Sequence, residues 1–123
     1  MTDPLLIPVD DRDRGLLRLS RGWKRTRVAN AWGRTVVRAN DRGATGRMRF
    51  RGTRVALIGR KLARGGRLRV TVDGRSRALH LRGHTGHRSV LWVSRRLKPG
   101  THVLRLRSLG GRPVEVDAVA PSP

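Results

Sequence analysis

The chain has 123 residues, the size of one domain with a single hydrophobic core. Of these, 29 are Lys or Arg and 8 are Asp or Glu, a formal net charge of +21, and aromatics make up only 3%. Cysteine is absent, which excludes disulfides and thiolate metal sites, and no apolar run approaches the roughly 20 residues that span a bilayer. So large a positive balance favours anionic partners.

Residues 1–15 contain two prolines and the acidic cluster Asp10, Asp11 and Asp13. Three carboxylates could attract a hard cation, but the spacing lacks the Gly and distal Glu of a calcium loop. The stretch is expected to be a solvated linker or N-terminal extension. Its apolar run is short and followed by acids, unlike a signal peptide. The chain is then either cytosolic or a domain of a longer secreted or cell-surface protein, and the second is expected.

Leu16 to Leu19 is a short predicted strand, and Trp23, after a turn at Gly22, is expected in the core or packed under a loop. Thr35 to Ala39 is a second strand, entered through Ala31-Trp32-Gly33. Trp32, beside a glycine and between strands, is the tryptophan expected at the surface. Met48 and Phe50 then alternate with Arg47, Arg49 and Arg51, the period-two pattern of a half-buried strand. Gly52-Thr53 breaks that register as a bulge or corner would. Val55 to Ile58 is apolar on both faces, as in a central strand of a two-layer fold.

Leu68, Val70 and Val72 alternate with Arg67, Arg69 and Thr71, and Asp73-Gly74 follows, a dipeptide suited to a tight hairpin. Leu79 and Leu81 return with Ala78, His80 and Arg82 on the other face. Ser89 to Ser94 is again apolar on both faces, with Trp92 expected in the core. Lys98-Pro99-Gly100 makes a turn. From Thr101 to Arg107, Leu104 and Leu106 point inward with His102, and Arg105 and Arg107 point outward. Val114 to Val119 closes the domain, and 121–123 is a tail. About eight strands with turn signals every 8–12 residues, and no helical period, predict an all-β fold over 16–120: an antiparallel β-sandwich or jelly roll.

Candidate chemistry is sparse. His80, His84, His87 and His102 have few acids to orient them, so a nucleophilic site is not expected. Glu115 and Asp117 are two residues apart on one strand, about 6.5–7 Å, where they read as partners for arginine rather than as a hydrolytic pair. His84-Thr85-Gly86-His87 could hold a metal, but simple exposed loop histidines are expected, and no metal or cofactor is implied. The arginines carry the strongest signal. Arg47, Arg49 and Arg51, then Arg67 and Arg69, then Arg105 and Arg107 each line one face of a strand. If any two of these strands are neighbours, a cationic sheet face results, and like charges opposed on a sheet are unfavourable unless function or anions offset them.

The order of several pieces resembles a family: the small jelly-roll modules of galactose-binding-like fold found in secreted actinobacterial proteins. The pieces are Trp23, Ala31-Trp32-Gly33-Arg34-Thr35, Gly43-Ala44 and Phe50-Arg51-Gly52-Thr53-Arg54-Val55. They continue with Val70-Thr71-Val72-Asp73-Gly74, Val90-Leu91-Trp92, Leu97-Lys98-Pro99-Gly100-Thr101-His102 and Val116-Asp117-Ala118. The resemblance covers roughly residues 16 to 119 and implies carbohydrate binding or an accessory adhesion role. With the charge, the expectation is a non-catalytic module for anionic polysaccharide or surface glycan, using Trp32 and the outward arginines. Nucleic-acid binding is an alternative, opposed by the scarcity of aromatics on which bases could stack. A structural module of a surface fibre or phage particle is another.

Overall fold

The alternating segments become two stacked antiparallel sheets. The computed structural model describes residues 5–7, 17–27, 35–40, 42–83, 89–110 and 112–123. Among them are eleven strands and no helix: β1 (Leu5–Ile7), β2 (Leu17–Leu19), β3 (Trp23–Arg27), β4 (Thr35–Ala39), β5 (Thr45–Arg51) and β6 (Arg54–Arg60), followed by β7 (Arg67–Val72), β8 (Arg75–His80), β9 (Ser89–Val93), β10 (Thr101–Ser108) and β11 (Val114–Ser122). One sheet has the order β1-β2-β5-β10-β7-β8 and the other β3-β4-β11-β6-β9. The count exceeds the expected eight partly because β1 lies within the stretch read as a linker, pairing with β2, and β3 runs on from Trp23 to pair with β4.

Phe50 and Met48 of β5, Leu68 and Val70 of β7, and Leu104 and Leu106 of β10 are buried from the first sheet. They pack in one cluster with Val37, Val55, Leu57, Val114, Val116 and Val119 of the second. Trp23 is buried, and its Nε1–H donates to the Thr45 carbonyl at 3.1 Å, joining the sheets. Asp73 and Gly74 both have positive φ, 50° and 83°. That is the backbone of the two-residue hairpin turn whose twist matches the flanking strands. Gly52 is a corner, as its sequence context suggested: the chain leaves the first sheet at β5 and enters the second at β6. A side chain at Gly52 would run into the Ser122 carbonyl oxygen, so the close approach demands glycine.

Two expectations fail at one place. Trp92 is half-buried against the core rather than inside it. Its strand, β9, is the edge of the second sheet rather than a doubly covered strand, with Val90 58% and Val93 49% exposed.

Glu115 is fully buried on β11. It accepts hydrogen bonds from Arg38 of β4 at 2.6 Å and from Arg60 of β6 at 2.5 and 3.1 Å. Burial pushes its carboxyl pKa up, but the two guanidinium groups outweigh that and hold it below the usual value. The arginine-partner reading of Glu115 is therefore correct. A bulge between Val116 and Ala118 interrupts the regular alternation of β11 at Asp117, which is buried like Glu115.

Candidate functional site

The outer face of the first sheet gathers the arginines. β10 lies between β5 and β7, so the three arginine-bearing strands are direct neighbours. Arg47, Arg49, Arg51, Arg67, Arg69, Arg105 and Arg107 are all exposed. Register decides which of them meet. Arg47 lies opposite Arg105 on one side and opposite Arg18 of β2 on the other, and Arg107 lies opposite Arg69. Adjacent strands are about 4.8 Å apart, so Arg18, Arg47 and Arg105 form a transverse row of three cations. The next row outward holds Thr45, Arg107, Arg69 and Ala78.

Between the rows lies a depression of about 420 Å³ lined by Arg47, Arg69, Arg105 and Arg107 together with Thr45, Thr71 and Ser76. The Thr71 and Ser76 hydroxyls are hydrogen-bonded at 2.7 Å across the β7–β8 hairpin and supply neutral polar groups beside the cations. None of the six strands of this sheet contains an Asp or Glu. The face therefore has the makings of an anion-binding surface: several forked donors, hydroxyls, and no competing carboxylate on its own strands.

The other candidates sit further away. Arg49 and Arg51 continue along β5, opposite Val103 and Thr101. Arg67 pairs with His80 and belongs to a separate shallow depression shared with Arg82 and Arg112. Trp32 lies outside the described residues, as do His84, His87 and the acidic cluster near residue 11. Among the described residues no group of three His, Asp or Glu is placed to hold a metal ion. Sequence reasoning missed Arg18, although the pattern Leu17-Arg18-Leu19 already marked it as outward.

Asp73 does more than turn the chain. Its carboxylate meets His102 Nδ1 and accepts the Val103 N–H at 3.1 Å, while His102 Nε2 donates to the Lys98 carbonyl at 2.6 Å. Both ring nitrogens face acceptors, which favours the imidazolium, and the Asp73 carboxylate, then the Lys98 carbonyl, hold the His102 pKa above its ordinary value. For Asp73, burial acts upward, but the bonds from His102 and Val103 win and its pKa is lowered. His102 is buried and packs beside Phe50, with ring centroids 5.6 Å apart. The structural role expected of this histidine thus holds, although it is buried rather than half-buried, and its partner 29 residues away was not visible in the sequence.

No family model matches this chain, and no curated protein matches it. Solved structures do. The chain is similar to a xanthan lyase from Paenibacillus, with TM-score 0.64 and 17% identity, covering 99% of this chain and 14% of the lyase. It is similar to a family 35 carbohydrate-binding module from Clostridium thermocellum, with TM-score 0.58 and 17% identity, covering 94% of this chain and 95% of the module. It is also similar to the module TmCBM61, solved with β-1,4-galactotriose, with TM-score 0.57 and 16% identity, covering 84% and 85%. The chain thus spans a small part of the lyase and nearly all of each module. The fold is the jelly-roll β-sandwich of carbohydrate-binding modules.

Proposed function

We propose that this domain is a non-catalytic module that binds anionic polysaccharide or cell-surface glycan, along the outer face of β2, β5, β10 and β7. The observation that carries the reading is the transverse row Arg18, Arg47 and Arg105 beside the pair Arg107 and Arg69. Three directly opposed cation pairs on neighbouring strands oppose sheet formation. A ligand bearing negative charges along its length would offset that cost. The sugar-binding modules that share the fold over nearly their whole length support a glycan as the polymer. In this reading the domain belongs to a longer secreted or surface protein, and Trp32 contributes an apolar platform for a sugar ring.

A glycan array with sulfated, uronate-bearing and neutral polymers, read at about 0.15 M salt with a duplex-DNA control, tests the proposal. At that ionic strength the Debye length is about 8 Å and only close contacts persist. Retention of acidic glycans is expected there. Arg47→Ser, Arg69→Ser and Trp32→Ala should each weaken it without unfolding the domain. Arg54→Ser on the opposite sheet removes the same charge and should do little. Equal losses from Arg54 and the face arginines would show bulk charge rather than a site, and tighter retention of DNA than of any glycan would assign the face to nucleic acid.

A further inference from the structure

A second concavity opens at the side of the sandwich, where the edge strands β8 and β9 leave the two sheets unsealed. It encloses about 540 Å³, within the range of roughly 300–1,000 Å³ typical of small-molecule sites. Its first wall is β8. Arg75 and Arg77 pair with Val72 and Val70, which are core residues. Alternation therefore sets both arginines at inner-face positions, yet both are exposed, because nothing from the second sheet covers them. The facing wall carries Trp92, half-buried against the core, and then Arg95, Arg96 and Lys98.

That facing wall is held in place. The Ser94 N–H donates to the Val55 carbonyl at 2.8 Å and the Leu97 N–H to the Thr53 carbonyl at 2.7 Å. The Lys98 carbonyl is fixed by His102. The single carboxylate among the lining residues, Asp73, is engaged by His102 and by the Val103 N–H. Inward-pointing charges on an edge strand also deter sheet-to-sheet pairing. That would account for Arg75 and Arg77, but not for an indole on β9 and three further cations on the pinned segment after it lining the same space.

We propose that this side cleft is a second ligand site that takes one acidic pyranose residue, its ring against Trp92 and its carboxylate or sulfate among Arg75, Arg77, Arg95 and Arg96. The site rests on reading the chain as a module for anionic glycans, and it is independent of the sheet face. The face follows a polymer, whereas the cleft accepts a single residue. Because the main chain of that wall is pinned before the ligand arrives, the ordering that opposes binding is confined to side chains.

The test uses the full chain at about 0.15 M salt, where long-range attraction is screened. Glucuronic acid, glucose 6-sulfate, glucose and inorganic sulfate are titrated in turn, with tryptophan fluorescence and calorimetry as readouts. Binding of one or both acidic sugars is expected, the two separating carboxylate from sulfate recognition, with glucose and inorganic sulfate much weaker. Arg77→Ser and Arg96→Ser should each weaken binding by about tenfold or more, the loss of a charge-assisted hydrogen bond. Arg47→Ser should leave it unchanged. Trp92→Phe, which keeps an aromatic ring in the packing, should weaken binding and abolish the fluorescence response. No binding of either acidic sugar, equal binding of inorganic sulfate, or equal sensitivity to Arg47→Ser and Arg96→Ser overturns the proposal. Acidic monosaccharide binding without polymer binding on the face would sink the sheet-face reading alone, and the converse would sink the cleft alone.

Discussion

Arg47 is the position where stability and binding should pull in opposite directions. It faces Arg18 on one side and Arg105 on the other. With the guanidinium heads splayed to about 7 Å in a water-like dielectric, each repulsion is about 0.6 kcal/mol. Each lies inside the range of roughly 0.2–1 kcal/mol per cross-strand pair, and two of them give about 1.2 kcal/mol at low salt. At about 0.15 M salt screening reduces the sum to about 0.5 kcal/mol. Arg47→Thr removes both repulsions and substitutes a residue that favours strands. At roughly 4 °C per kcal/mol for a domain of this size, Tm should rise by about 5 °C at low salt and about 2 °C at 0.15 M. Arg54→Thr is the control, since Arg54 lies opposite Ser122 rather than another cation. Thermal denaturation followed by circular dichroism at two ionic strengths measures both. If Arg47→Thr does not stabilise more than Arg54→Thr at low salt, the opposed-cation reasoning is wrong. If it stabilises and binds acidic glycans as tightly as before, the face is strained for some reason other than ligand.

Leu104→Ala and Val72→Ala should each cost about 2–4 kcal/mol in chemical denaturation, because both side chains fill the core between the sheets; a silent change at either would put the inward face on the wrong side. Glu115→Gln should cost about 1.5–3 kcal/mol, since the partly exposed Arg38 and Arg60 lose the anion that they share, and a urea midpoint near wild type would contradict the ion-pair account. The His102–Asp73 pair sets a pH window. The His102 pKa is raised above 6.5, so its contribution is complete below 6.5 and disappears as pH climbs through the raised value. Asp73 and Glu115 are lowered from 3.8 and 4.5, so theirs are complete above those values and fade as pH falls through the lowered ones. The stability maximum should therefore span pH 4.5 to 6.5, and His102→Gln should flatten the alkaline side; an unchanged alkaline limb in that variant would remove His102 as its cause.

Period-two alternation made β5, β7 and β10 legible, along with their arginine-bearing faces, because alternation reports which side of a strand is buried. It does not report which strands lie side by side. That Arg47 meets Arg105 depends on β10 pairing with β5, and that it meets Arg18 depends on β2 pairing with β5 on the other side, partners far away along the chain. The same limit hid the bonds from Arg38 and Arg60 to Glu115, 77 and 55 residues away. β9 misled for a related reason: SVLWV reads as doubly buried, but whether a strand is covered depends on its place in the sheet, and an edge has no neighbour to cover it. Arg75 and Arg77 look in the sequence like part of an ordinary solvated hairpin. Only their register against Val72 and Val70 places them at inner-face positions beside the side cleft.

The order of strands has a consequence for how the molecule is made. The middle strand of each sheet comes late: β10 unites β1-β2-β5 with β7-β8, and β11 unites β3-β4 with β6-β9. Until residue 101 leaves the ribosome, the nascent chain can hold only half-sheets, whose open edges would otherwise pair with those of other chains. Completion needs two long-range insertions, which places the domain among slow, high-contact-order folders. During that wait the arginines act between molecules: half-sheets of like, dense positive charge repel one another at the stage when their edges are bare. The charge that would later hold a ligand would first keep unfinished copies of the protein apart.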